Sequence, residues 1–310
     1  MRKYGVIWAL TASTLACLSA SDARAQANDT IAKINASGSI TLGVRESSGA
    51  LSYGLGNGKY TGYHVELCQH IVGHLEKVLG KKLDVKYQPV TSETRIPLVK
   101  NGTVDLECGS TTNNMVRQSE VAFAVTTFVE EVRVAVKTNS GITSIAQLGG
   151  KTVTTAAGTT SVRTLRQNER ANGIDFKEVF GKDLGDSFAL LESGRADAFV
   201  MDGSILASNI ANAKNPADFK IVGEALSVEP IAIMMHKDDP ALKRLADDTL
   251  KGLMRSGEIA KIYDKWFMQP VPPKGARIGL PPSDSLKAIW AKPNDNPMEA
   301  YARNIGLHRI

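Results

Sequence analysis

Cysteine is scarce in this sequence, with three residues in 310, at positions 17, 68 and 108. A chain of this length can bury a large core, so a small disulfide-stapled module gives way to one large or two medium domains. Histidine is also sparse, five in all. His70 and His74 stand four apart on an expected helix, but no third ligand has a recognisable spacing, which argues against a metal site. No apolar run approaches the roughly 20 residues that a bilayer-spanning helix needs. No low-complexity tract interrupts the chain. Charge of one sign is nowhere massed: Lys and Arg are scattered among Asp and Glu, which argues against a nucleic-acid surface. Hydrophobic residues at 43% and charged residues at 22% give the balance of an ordinary globular protein.

What is present begins with a leader. Arg2 and Lys3 precede an apolar run through Val6, Ile7, Trp8, Ala9 and Leu10, and Ala23-Arg24-Ala25 stands before Gln26. This is the pattern of a secretory signal peptide over residues 1–25, and it implies the periplasm as location. Cys17 would suit a lipid anchor only with a Leu-like residue three positions earlier, where Thr14 stands. Removing the leader takes away Arg2, Lys3, Arg24 and Asp22, so the net charge falls from +5 to +3. Cys68 and Cys108 remain. In an oxidising compartment they either pair or lie as separate buried thiols.

The rest of the chain alternates short strands and helices. Ile40 to Val44 reads as a strand, and the Gly- and Tyr-rich stretch from Tyr53 to Tyr63 as a hairpin. From His64 to Leu79 the apolar residues recur at helical spacing, and Gly80 ends the helix. A strand from Leu83 to Val90 follows. Thr91-Ser92 then caps a short helix closed by Asn101-Gly102, and Val104 to Glu107 is another strand. Such alternation predicts an α/β lobe with a mainly parallel sheet, whose ligands collect at the carboxyl ends of strands. Phe128 to Lys137 is an extended crossing into a second α/β unit, with strands expected at Lys151 to Thr155, Phe176 to Phe180 and Ala198 to Met201. Val228 to His236 is the return. Two crossings divide the chain into a discontinuous first lobe, 28–133 with 229–310, and an inserted second lobe, 134–228. Pro240 to Trp266 reads as a long amphipathic helical region. The Pro-rich tail beyond Pro270 wraps a lobe without adding a domain.

Three strand-end loops carry hydroxyl and guanidinium groups: Arg45 with Ser47 and Ser48, Ser92 with Arg95, and Ser110 with Thr112 and, just beyond, Arg117. The second lobe offers Thr160 at a helix start and Asp202 at a strand end. A guanidinium fork grips a carboxylate through two parallel hydrogen bonds and keeps its charge when desolvated. A helix N-terminus adds free amides. Taken singly, each feature has a plainer reading: a solvated Arg, a helix cap, a turn at Asp202-Gly203. Their joint placement at strand ends in both lobes favours a cleft for a small zwitterion.

The run from Val90 to Asn114, VTSETRIPLVKNGTVDLECGSTTNN, resembles the glutamate/aspartate-binding proteins of bacterial ABC importers, solute-binding protein family 3. So do Gly185-Asp186-Ser187-Phe188, Leu191-Glu192-Ser193-Gly194-Arg195-Ala196, Asp264-Lys265-Trp266-Phe267 and Lys292-Pro293-Asn294-Asp295. The resemblance spans nearly the whole mature chain. It implies a two-lobed periplasmic binding protein fold of type II, with hinges near Val134 and Glu229. It also implies roles: Arg117, helped by Ser110, Thr112 and Thr160, would hold the ligand α-carboxylate, Asp202 the α-ammonium, and Arg45, Ser92 and Arg95 the side-chain carboxylate. The family often carries a His before Gly-Asp-Ser-Phe, where Leu184 stands here. That departure leaves room for a different polar amino acid.

Other motifs fail on context. Gly54, Gly56 and Gly58 lie in a hairpin with no helix opening after them, and Gly150-Lys151-Thr152 lacks the first glycine of a phosphate loop. Gly185-Asp186-Ser187 has no His with a motif-level claim to activate the serine. The expectation is a non-enzymatic, monomeric binding protein without cofactor. It would carry glutamate or aspartate to a membrane permease. An enzyme on the same fold, such as a dehydratase, would need an acid or base at the ligand, and no residue has a better claim than Glu46 or Glu93. A sensory domain reporting to a kinase is the third reading.

Overall fold

The computed structural model describes residues 29–301. The expected leader, Cys17 and the outermost residues of the first lobe lie outside them.

The chain opens with α1 (Thr30–Ser37), capped by the Asp29 carboxylate, which accepts from the Ala32 amide. The strand β1 (Ser39–Val44) follows, with its apolar side chains wholly buried. A small antiparallel sheet of β2 (Ser47–Ser48), β3 (Ser52–Gly56) and β4 (Lys59–Thr61) forms the expected hairpin region. The helix α2 (Tyr63–Leu79) buries Leu67, Cys68, Ile71 and Leu75 on one stripe and stops at Gly80, whose left-handed φ of 66° an L side chain tolerates poorly. Then come β5 (Asp84–Pro89), α3 (Arg95–Lys100), β6 (Leu106–Glu107), α4 (Met115–Gln118) and β7 (Val121–Phe123).

The crossing is β8 (Phe128–Lys137). Beyond it β9 (Thr152–Ala156), α5 (Thr160–Asn172), β10 (Lys177–Gly181), α6 (Leu184–Glu192), β11 (Ala198–Asp202) and α7 (Gly203–Asn212) alternate, and β12 (Phe219–Ile231) returns. The final elements are β13 (Met234–His236), α8 (Pro240–Arg255), α9 (Glu258–Tyr263) and α10 (Asp284–Ala291).

Two five-stranded sheets result, ordered β5-β1-β6-β13-β7 and β10-β9-β11-β8-β12. In each, the strands linked through helices run parallel: β1 with β5 and β6, and β9 with β10 and β11. The crossing and returning strands join antiparallel, β13 to β6 and β7, and β8 to β11 and β12. The sheets are therefore mixed rather than wholly parallel, because these strands arrive from the opposite end. The β8/β12 ribbon ties the two halves: Phe128 and Ile231 lie in the core of the first, Val132, Val134 and Val136 in that of the second.

Alternation along β8 and β11 explains the second core. Val134, Val136, Ala198 and Val200 face one side, while Ala135, Phe199 and Met201 face the other. Both faces are covered there, so Val134 to Val136 of β8 and Ala198 to Met201 of β11 read as continuous apolar runs.

Several boundaries differ from expectation. Thr91 and Thr94 exchange hydrogen bonds, each hydroxyl accepting from the other's amide, so the cap of α3 is Thr94 and Ser92 is free for other work. The long region after Pro240 divides at Gly257 (φ 73°). Val228 continues one strand begun at Phe219, irregular between Val222 and Ser227. Cys68 and Cys108 are joined, with Cα atoms 6.3 Å apart, which pins α2 to the end of β6.

Candidate functional site

The carboxyl ends of the parallel strands of both sheets face each other, and the expected polar residues lie there. Arg45 follows β1, Ser92 and Arg95 follow β5, and Ser110 and Thr112 follow β6. The disulfide at Cys108 and the bridge of Thr112 to Ile231 hold this last loop. From the second sheet come Gly158 to Thr160 after β9, Asp183 after β10 and Asp202 at the end of β11.

The two sets touch. Arg117 donates from Nη1 to the Thr112 carbonyl at 2.9 Å and from Nη2 to the Gly158 carbonyl, on the other half, at 3.2 Å. Gly158 is needed there: with φ +75°, a Cβ would stand 2.8 Å from the Ser92 backbone. Thr112 and Thr160 approach within 3.2 Å through their hydroxyls, and each donates to Glu229 Oε2 at 2.6 Å. Arg95 donates to the Ser110 carbonyl at 3.1 Å, and Ser110 Oγ lies 3.1 Å from Ser48 Oγ. Arg45 bonds Ser92 Oγ at 3.1 Å and forms an ion pair of 2.6 Å with Asp183.

Burial dominates the electrostatics. Arg45, Arg95 and Arg117 are all buried, as is Asp202. Burial, with Arg117 and Arg45 nearby, pushes the Arg95 guanidinium down to about 9, against the pull of Glu107 and Asp202. Arg117 is likewise lowered by burial, opposed by Glu229, Glu107 and Asp202. Burial and the neighbouring Glu130 and Glu229 carboxylates raise Asp202 well above its ordinary value, while Arg95 and Arg117 draw it back. The shared interactions place Asp202, Arg95 and Arg117 in one electrostatic neighbourhood.

Buried polar atoms in this neighbourhood without a partner include Arg45 Nε and Nη1, Arg95 Nε, Glu107 Oε1 and Asp202 Oδ1. An unpaired polar atom in the interior costs free energy. The guanidinium donors lie on one half and the Asp202 acceptor on the other, the arrangement that a carboxylate and an ammonium on one small molecule would satisfy. Leu184 differs from the rest: it makes no polar contact and joins the apolar cluster containing Phe188, Phe199 and Ile205.

Sequence reasoning missed four acids. Glu107 accepts from Thr111 at 2.7 Å, Glu130 accepts from Ser204, Glu229 holds Thr112 and Thr160, and Asp183 holds Arg45. The signal for Glu107, Glu130 and Glu229 was an acid within or at the end of an apolar strand, which a buried polar network explains better than a surface does. Asp183 gave none beyond its place before a helix. Glu46 and Glu93, the acids singled out from sequence, are exposed.

Two mixed α/β sheets joined by a two-strand crossing, with polar loops facing across a cleft, define the type II periplasmic binding protein fold. The mutant ArgBP from T. maritima shares it, with a TM-score of 0.68 and 26% identity over 77% of this chain and 99% of that one. The pattern of the bacterial extracellular solute-binding proteins, family 3, matches residues 40–269, and the chain belongs to that family. It is 43% identical over 280 residues to the glutamate/aspartate import solute-binding protein of Escherichia coli (strain K12), covering 90% of this chain and 93% of that protein. It is 44% identical over 291 residues to the L-glutamate/L-aspartate-binding protein of Pseudomonas aeruginosa, covering 93% and 96%.

Proposed function

We propose that this protein captures glutamate or aspartate between its two lobes in the periplasm and delivers it to the permease of an ABC importer, as a monomer, without catalysing a reaction and without a cofactor or nucleic acid. The first lobe comprises 28–133 and 229–310, the second 134–228, and residues 1–25 are a leader removed on export. The observation that carries the reading is the set of unpartnered buried atoms: guanidinium donors on Arg45 and Arg95, and the acceptor on Asp202. An acidic side chain answers the first two and an α-ammonium the third.

The roles follow that division. Arg45, Ser92 and Arg95 hold the side-chain carboxylate, while Arg117 with Ser110, Thr112 and Thr160 holds the α-carboxylate, the two threonine hydroxyls turning to it from Glu229. Each Nη of Arg117 carries a second hydrogen beyond those given to Thr112 and Gly158. Neither lobe alone satisfies both ends of the zwitterion, so the ligand stabilises the closed form. A micromolar affinity corresponds to about 8 kcal/mol, within reach of a few charge-assisted hydrogen bonds in a dry cleft. The identities of about 43% to glutamate/aspartate-binding proteins support the ligand class. The enzymatic reading is weaker because Glu130 is committed to Ser204 and Glu229 to Thr112 and Thr160, while the free oxygen of Asp202 is taken up by the ligand ammonium in this reading.

Calorimetry with the mature protein tests this. Glutamate or aspartate should bind tightly, and equal or better binding of glutamine or arginine defeats the assignment. Asp202→Asn should weaken glutamate roughly 10- to 100-fold, the worth of a hydrogen bond to a charged group, while leaving glutarate, which has no ammonium, unweakened.

A further inference from the structure

Asp183 occupies the N-cap position of α6 but makes no capping bond within its own helix. Its carboxylate instead reaches the other half of the molecule. Oδ1 accepts from Arg45 Nη2 at 2.6 Å, and Oδ2 accepts from the Ser47 hydroxyl at 3.2 Å. Ser47 Oγ in turn accepts from the Gly185 amide at 3.0 Å, so a residue of the first half completes the amino end of a helix in the second. The Arg45 side chain is fully buried and that of Asp183 is 19% exposed, which shields the pair from solvent screening.

The pairing also orients Arg45. Nη2 is held from both sides, by Asp183 and by Ser92 Oγ at 3.1 Å, while Nε and Nη1 are buried without partners. A guanidinium fixed at Nη2 holds its free Nε–H and Nη1–H in defined directions, and each can give a single charge-assisted bond to a carboxylate oxygen. Ser92 is on the same half as Arg45, whereas Asp183 is brought by the other. The orientation is complete only when the halves meet.

We propose that Asp183 is a positioning residue which, with Ser47, latches the two halves and turns Arg45 toward the distal carboxylate of the ligand. Discrimination in favour of an acidic side chain is then assembled by closure itself. The selectivity half of this inference rests on the acidic-ligand reading above; the latch half does not. A contact made only in the closed form shifts the equilibrium toward it by its own free energy, with or without ligand.

Asp183→Asn, Asp183→Glu and Ser47→Ala, each with stopped-flow dissociation rates and calorimetry, test the proposal. In Asp183→Asn, glutamate affinity should fall roughly 10- to 100-fold, as expected for a charged hydrogen bond, chiefly through faster dissociation. The glutamate-to-glutamine ratio should fall with it, and Asp183→Glu should restore part of both. A merely structural role would lower both ligands equally. An increase in glutamate affinity would overturn the proposal, because Asp183 would then be competing with the ligand for Arg45. In the ligand-free protein, spin labels at Lys77→Cys and Arg170→Cys, exposed on opposite halves, should report a smaller closed population for Asp183→Asn and Ser47→Ala. Coincident distance distributions would overturn the latch. If the wild type binds no acidic amino acid, the ligand reading fails while the distance measurement still decides the latch.

Discussion

Arg117, on a helix of the first half, donates through Nη2 to the Gly158 carbonyl of the second half at 3.2 Å. This contact links the cation assigned to the α-carboxylate with the loop that opens α5. Under the proposed roles, loss of Arg117 removes a ligand donor together with a contact between the halves. Arg117→Ala should abolish measurable binding of every amino acid by calorimetry. Arg95, whose Nε is buried without a partner, should behave differently. Arg95→Ala is expected to weaken glutamate and aspartate roughly 10- to 100-fold and glutamine far less. Equal losses for all ligands in both variants would sink the division of labour.

Leu184, read from the resemblance as a departure from the family pattern, is wholly buried among apolar side chains. Leu184→Ala should cost about 2–5 kcal/mol of stability through a cavity, read by urea denaturation. The glutamate-to-glutamine ratio should stay as in the wild type, since Arg45 and Arg95 set it. A changed ratio would return Leu184 to the ligand site.

His64 is buried between the Gly109 carbonyl and Thr127 Oγ1, and burial lowers its pKa from 6.5 to about 4 despite the Gly109 bond. The native state thus refuses a proton that the unfolded chain accepts. Stability from this group is present above about pH 6.5 and lost as the pH falls toward 4. Urea denaturation at about pH 7.5 and about pH 5 should show the wild type losing stability relative to His64→Gln across that interval. A difference that stays constant would mean that His64 does not titrate abnormally.

The Cys68–Cys108 bridge joins residues 40 apart. The unreduced mature protein should take up no thiol label, as judged by mass, and two labels would mean no bridge. Replacing both cysteines with serine should cost about 2–4 kcal/mol, measured by denaturation.

The two-strand crossing was legible as two extended runs, Phe128 to Lys137 and the stretch ending at His236, because Val and Ile recur along both. The helix from Tyr63 was legible for the parallel reason, a stripe of 3.6 period closed by Gly80. These patterns are local: backbone geometry and one buried face suffice to write them into the chain. Arg45 and Asp202 could be picked out because a charged side chain at the end of an apolar strand is itself a local signal, and Arg95 and Arg117 because they follow close on such strand ends. Their partners could not. Asp183 meets Arg45 across 138 positions and Glu229 meets Thr112 across 117. Which acid neutralises which cation depends on how the two sheets close on each other, and desolvation gives such pairs their weight only after that closure has excluded water. The residue types were set by sequence, and the choice of partner by the tertiary fold.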